Sequence, residues 1–330
     1  MTRIGLPRAL IYHYYYPGIK EYFNRLNNVE LVLSPETNRE ILDRGINRSV
    51  DDLCLPFKVF FGHVEFLLDK VEYLFVPRLL SLGENNRVCP KFMGLPDMVR
   101  SVFRGEGLPE LIAPEIDLRN GIFPLYGIAV KIGKELGVNS WRARYACRGA
   151  LNSMREYKKY LLKGFTPAEV FRFLEEEKPA KINANINSGF KFRVGILGHS
   201  YILNDEHLTM GLISELKKRK IEVIVQEMLP EKKVERAAGK QEKDLFWYFN
   251  RHIMGAAYYL LENEKVDGII PVNVFGCGPD SLVNELIRLR GKRKNNIPLL
   301  HLNLDEHSGK AGLITRLEAF LDLLERRELA

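Results

Sequence analysis

The chain has 330 residues, 46% hydrophobic and 28% charged, the profile of a globular protein long enough for two cores. This excludes disorder, collagen and small disulfide scaffolds, and the longest apolar runs, such as Gly268 to Phe275, fall far short of the roughly 20 residues of a membrane-spanning helix. The net charge of +7 is spread out, and its sharpest clusters, Lys217 to Lys220 and Lys292 to Lys294, fall at predicted helix ends, where cations oppose the helix dipole.

No aromatic-interleaved basic motif accompanies those clusters, so nucleic acid is not an expected partner. The opening MTRIGLPRALIYHYYYP lacks an apolar block followed by a small-residue cleavage site, so a cytoplasmic protein without membrane attachment is expected. Four scattered cysteines in a reducing compartment read as free, catalytic or metal-bound rather than as a disulfide framework.

In chain order, Thr2 to Leu6 reads as a strand, Ile19 to Leu26 as a helix and Glu30 to Leu33 as a strand. A helix Pro56 to Lys70, a strand Tyr73 to Val76, a helix Leu95 to Phe103 and a weak strand Glu110 to Ile112 follow. Residues 125–189 form a helical segment that ends in a polar linker, Lys178 to Gly189. Strands Arg193 to Leu197, Glu222 to Gln226, Gly268 to Val272 and Pro298 to Leu302 then alternate with helices Asp205 to Lys220, Glu242 to Glu264, Pro279 to Arg290 and Lys310 to Arg327. The expected fold is α/β, with two doubly wound parallel-sheet (flavodoxin-like) lobes, residues 1–124 and 190–330, facing a cleft. In such sheets ligands bind beyond the carboxyl ends of the strands.

Cys54 (DDLCLPFK), Cys89 (RVCPKF) and Cys277 (VFGCGPDS) share one setting: a loop running into a predicted helix, with proline within two residues downstream. Backbone N–H groups and the positive dipole end at such places stabilise thiolates and anionic clusters. Spacing alone leaves open three unrelated small buried residues. Gly276 and Gly278 on either side of Cys277 favour a ligand site, because glycine lets backbone approach a bulky group, while Asp280 or Ser281 can cap the helix. Cys147, in a helical stretch without glycine or proline, reads as core, with a fourth-ligand role as the alternative.

The motifs extend further: G-L-P-R-A-L at Gly5 to Leu10, C-x-P-x-K with G-H at Cys54, Pro56, Lys58, Gly62 and His63, and C-P at Cys89 and Pro90. They continue with G-H-x-Y at Gly198, His199 and Tyr201, F-G-C-G-P-D-S at Phe275 to Ser281, and D-E-H-S-G at Asp305 to Gly309. Together they resemble the 2-hydroxyacyl-CoA dehydratase and acyl-CoA dehydratase activase-related family, specifically its stand-alone activase-related type. The resemblance implies that Cys54, Cys89 and Cys277 hold a [4Fe–4S] cluster in the cleft, with one iron left open. It implies an oxygen-sensitive, anaerobic component that reduces or dehydrates a small substrate, such as an acyl-CoA, after ATP-coupled electron transfer from a separate activase or other donor. A homodimer is the accompanying expectation. The chain lacks G-x-x-x-x-G-K-[ST], so a partner would hydrolyse the ATP.

His63 and His199 are candidate proton donors near the cluster, and Lys58 a candidate for offsetting its negative charge. Asp305 and His307, with Thr315 and Arg316, are candidate cleft contacts, or else cap the last helix. Lys310 stands where a cobalamin D-x-H-x-x-G motif requires glycine, and GILGHS lacks the third glycine of a dinucleotide fingerprint, so neither cofactor is expected. The alternatives are a non-catalytic cluster carrier or electron-transfer scaffold, and a zinc-dependent or metal-free binding protein whose cysteines have separate fates.

Overall fold

The computed structural model describes residues 1–83, 86–175, 189–263, 266–293 and 297–328. The chain divides into two compact units, Met1–Lys159 with Phe246–Tyr248 and Tyr160–Leu245 with Phe249–Ala330. The expected linker, apart from Gly189, and Lys294 of the second basic cluster lie outside the described residues.

The first unit runs β1 (Thr2–Leu6), α1 (Tyr12–Asn24), β2 (Val29–Leu33), α2 (Arg39–Asn47), α3 (Leu55–Leu67), β3 (Tyr73–Phe75) and β4 (Arg78–Ser81). Then come α4 (Pro90–Met93), α5 (Leu95–Val102), β5 (Glu110–Ile112), β6 (Glu115–Asp117), α6 (Pro124–Glu135) and α7 (Ser140–Leu162). Its main sheet has the order β2-β1-β3-β5, every neighbouring pair parallel, and β4 and β6 form a parallel pair of their own. Ile4 and Leu6 of β1 are wholly buried, as a central strand covered on both faces requires.

Helix α3 supplies much of the core through Phe57, Phe60, Phe61, Val64 and Leu67. It packs on α2 at backbone distance: a Cβ at Gly45 would lie 1.9 Å from the Lys58 carbonyl oxygen, and one at Gly62 1.9 Å from that of Ile41. Only glycine at both positions permits this approach.

The second unit contains α8 (Pro167–Glu175), β7 (Phe192–Leu197), α9 (Ser200–Leu203), α10 (Leu212–Lys218), β8 (Ile221–Val225) and α11 (Glu231–Ala238). It ends with α12 (Tyr248–Asn263), β9 (Gly268–Val274), α13 (Gly278–Arg293), β10 (Leu302–Leu304) and α14 (Lys310–Glu328). The order is β10-β9-β7-β8, again all parallel. Helix α12 buries Met254, Ala256, Ala257 and Leu260 against Ile269, Val283 and Ile287. Both units are therefore doubly wound α/β sheets of the flavodoxin-like kind, with switch points between β1 and β3 and between β7 and β9.

Differences from the predicted elements have local causes. Helix α1 begins at Tyr12, seven residues before the predicted start at Ile19, and it runs through Pro17 to end at Asn24. The helix predicted over residues 205–220 survives only as α10, because Met210 and Gly211 take left-handed backbone, with φ of 53° and 77°. The strand predicted at Pro298 to Leu302 is displaced to β10, with Leu299 making a single bridge to Ile269. Among the described residues no helix is long and apolar enough to cross a membrane.

Candidate functional site

Cys54 and Cys89 are helix N-caps. The Cys54 carbonyl accepts the first helical bond of α3 from Phe57 N–H at 3.0 Å, and the Cys89 carbonyl accepts from Phe92 N–H at 2.9 Å. Neither thiol makes a capping hydrogen bond to its own helix. Pro56 and Pro90 stand in the first turns, where a missing N–H costs nothing.

The two N-caps meet inside the first unit. Lys91, two residues after Cys89, donates from its ammonium to the Cys54 sulfur at 3.2 Å. Phe57 and Phe92, each three residues after its cysteine, pack edge to face with centroids 5.3 Å apart. Their contact locks α3 against α4, worth about 1 kcal/mol beyond the buried area.

The other candidates of the first unit, His63, Lys58 and Cys147, are buried. His63 is fully buried, its Nε2 lies 3.1 Å from the Thr37 hydroxyl, and its Nδ1 has no hydrogen-bond partner among the described residues. Burial, then repulsion from His13 and Arg8, pushes it down to about 3, so it is a neutral imidazole at physiological pH. Lys58 is buried in α3. Cys147 faces inward from α7, and burial pushes its thiol up to about 11. Of the four cysteines it alone lies within a helix rather than at the start of one.

In the second unit, Cys277, His199 and Asp280 gather at the carboxyl ends of β9 and β7. The Cys277 carbonyl accepts from Ser281 N–H at 3.2 Å and from the Ser281 hydroxyl at 3.1 Å, so it heads α13 as Cys54 heads α3. Gly276 has φ of 79°, which requires glycine, whereas Gly278 has open space where a Cβ would be. Gly198 ends β7 so close to β9 that a Cβ would lie 2.5 Å from the Val272 carbonyl oxygen.

His199 Nε2 lies 2.9 Å from Asp280 Oδ1, and Asn250 donates to the same oxygen at 2.6 Å. The His199 ring stacks on Tyr201 with centroids 4.7 Å apart. Burial works to raise the Asp280 carboxyl, yet His199, Cys277 and Asn250 together hold it below the usual carboxylate range. One ligand atom each of His199, Cys277 and Asp280 lies within 4.8 Å of the others. His199 Nδ1 and Asp280 Oδ2 are buried without hydrogen-bond partners among the described residues. Orphaned atoms beside a thiol in this arrangement can take a metal ion or the polar end of a ligand.

Sequence reasoning missed Glu227, Asn250 and Lys91. Glu227 was readable as an acidic residue just past a strand end; Asn250, inside a helix, carries no such signal. Burial pushes the Glu227 carboxyl up to about 7, against stabilising contacts from Ser200, Gln226 and His199. An unfolded glutamate releases its proton near 4.5, so between those values the folded chain binds more protons and stability falls as pH rises. Glu227→Gln should therefore match the wild type below about pH 4.5 and exceed it by about 3 kcal/mol above pH 7. Urea unfolding across that range checks this; parallel curves would refute it.

Asp305 and His307 belong to a tight turn. His307 N–H donates to Asp305 Oδ1 at 3.0 Å, the Ser308 hydroxyl donates to it at 2.9 Å, and the turn leads into α14. Thr315 donates back to the Ala311 carbonyl within α14.

No curated protein matches the chain. The family model described as the CoA enzyme activase uncharacterised domain matches residues 3–229, a span that holds Cys54, Cys89, His199 and Glu227 and stops short of Cys277 and Asp280. With the match covering more than half of the chain, including the first sheet from Arg3 on and both cysteine-capped helix starts, the chain belongs to the CoA enzyme activase uncharacterised domain family.

Proposed function

We propose that Cys54, Cys89 and Cys277 ligate one [4Fe–4S] cluster, and that the protein is a cytoplasmic, oxygen-sensitive component of low-potential reduction or dehydration of a small acyl-CoA-type substrate. A separate ATP-hydrolysing activase would deliver the electron. The observation that carries the reading is the meeting of the two cysteine-capped helix starts through the Lys91 contact with the Cys54 sulfur and the Phe57–Phe92 pair. The donor set fits: three thiols at helix starts, with no capping duty for Cys54 or Cys89, and a cation already at Cys54. When bound, such a cluster supplies low-potential electrons and an iron that three thiolates leave open.

The chain's own residues have definable tasks. Lys91 offsets thiolate charge at Cys54, and Phe57 and Phe92 hold the two loops in register. Asp280 fixes the His199 ring from one side and Tyr201 from its face, leaving Nδ1 directed away from both contacts.

The grouping of His199, Cys277 and Asp280 favours one second reading, a mononuclear ion such as zinc held in the second unit alone. Anaerobic purification with iron, sulfide and zinc analysis separates the two. About four irons and four sulfides per chain, lost in Cys54→Ala, Cys89→Ala and Cys277→Ala but kept in Cys147→Ala, are expected. Zinc that depends on Cys277 and Asp280 but not on Cys54 would replace the first reading with the second, and a metal-free chain under strict anaerobiosis would refute both.

A further inference from the structure

Helices α1, α6 and α7 leave a gap over β3, β4 and β6 in the first unit. It is a cavity of about 190 Å³, open to solvent, lined by side chains including Ile19, Phe75, Leu79, Ile116, Ile132 and Leu151. No charged or amide side chain lines it. Beside the Tyr15 hydroxyl, the polar side-chain atoms in its wall are the Tyr22 hydroxyl, which donates to the Ala129 carbonyl at 2.6 Å, and the Cys147 thiol, which burial keeps protonated up to about pH 11. Met154, which also lines it, is a flexible side chain that adapts to different occupants.

Protein interiors leave few voids larger than a water molecule, and a wall with so few hydrogen-bonding groups holds ordered water poorly. A dry cavity of about 150 Å³ already takes a benzene ring. We propose that this cavity binds the hydrocarbon tail of a small ligand, an unbranched chain of about six to eight carbons, with its head group left in solvent at the opening. The wall selects for length and apolarity and takes no part in reading the head group. The proposal uses none of the three cysteines assigned to the cluster, so it stands or falls independently of that assignment.

Isothermal titration calorimetry on the full chain, with 1-octanol, octanoate and 1-butanol as probes, tests it. Octanol and octanoate should bind within about threefold of each other, and butanol at least tenfold more weakly, since each buried methylene adds affinity. Ala150→Phe, which fills the cavity, should abolish octanol binding without lowering the melting temperature. Should Ala150→Phe misfold, Ala129→Leu, on α6 in the same lining, serves the same purpose. Failure of octanol to bind, binding of octanoate alone, or octanol binding unchanged in a folded filling variant would each overturn the proposal.

Discussion

Gly62→Ala should cost the first unit about 3 kcal/mol or more, one of the largest effects of any single methyl in this chain. The added carbon would lie 1.9 Å from the Ile41 carbonyl oxygen, and the obstacle is backbone, which cannot swing aside as a side chain can. Helices α2 and α3 must part, and α3 carries Phe57, Phe60 and Phe61 into the core, so the displacement spreads beyond the point of contact. Both tryptophans, Trp141 and Trp247, belong to the first unit, so urea unfolding followed by fluorescence reports it selectively. Gly45→Ala should behave alike, and the double variant should cost less than the sum, because helices parted once no longer clash twice. A Gly62→Ala midpoint equivalent to less than about 1 kcal/mol would contradict this packing.

Asp280→Ala should destabilise the second unit by about 3 to 5 kcal/mol, the range for removing one partner of a buried charge-assisted pair. Its carboxylate oxygen serves both His199 and Asn250, and neither side chain has water to turn to. Truncation leaves two buried polar groups unsatisfied and removes the acidic residue from the first turn of α13. Asp280→Asn retains an oxygen in the same place and should cost less than half as much. Hydrogen exchange on peptides from β7, α12 and α13 measures this where tryptophan fluorescence is silent. Equal protection in Asp280→Ala and wild type would show that the pair does not hold those elements together.

The sequence disclosed strands better than helices, and loops better than either. β1 and β5 match their predicted limits because short β-branched runs bounded by turn residues leave little choice. Helix α2 was invisible: its close approach to α3 depends on Gly45, and a glycine inside a helix is read as a breaker. β4 and β6 were hidden behind Pro77 and Pro114, each directly preceding a strand by one residue. Within the candidate site, the shared setting of Cys54, Cys89 and Cys277 was legible because N-cap geometry is local. The Lys91 contact with Cys54 and the Asn250 contact with Asp280 join residues far apart in the chain, and no local pattern encodes such pairs.

The short stretch Phe246–Tyr248 closes the first unit from far along the chain: Tyr248 N–H donates to the Arg87 carbonyl at 2.8 Å, and Arg87 N–H donates to the Phe246 carbonyl at 3.4 Å. On the ribosome, the N-terminal unit therefore waits for its last piece while residues 160–245 are made. At about 5–20 residues per second the delay is roughly 4 to 17 s, long compared with the folding of a small α/β domain. During that interval Arg87 offers an unpaired backbone edge to any nascent strand or chaperone. Synthesis order thus makes the second half of the chain a requirement for finishing the first, and a gene cut at residue 159 encodes a unit whose edge is never covered.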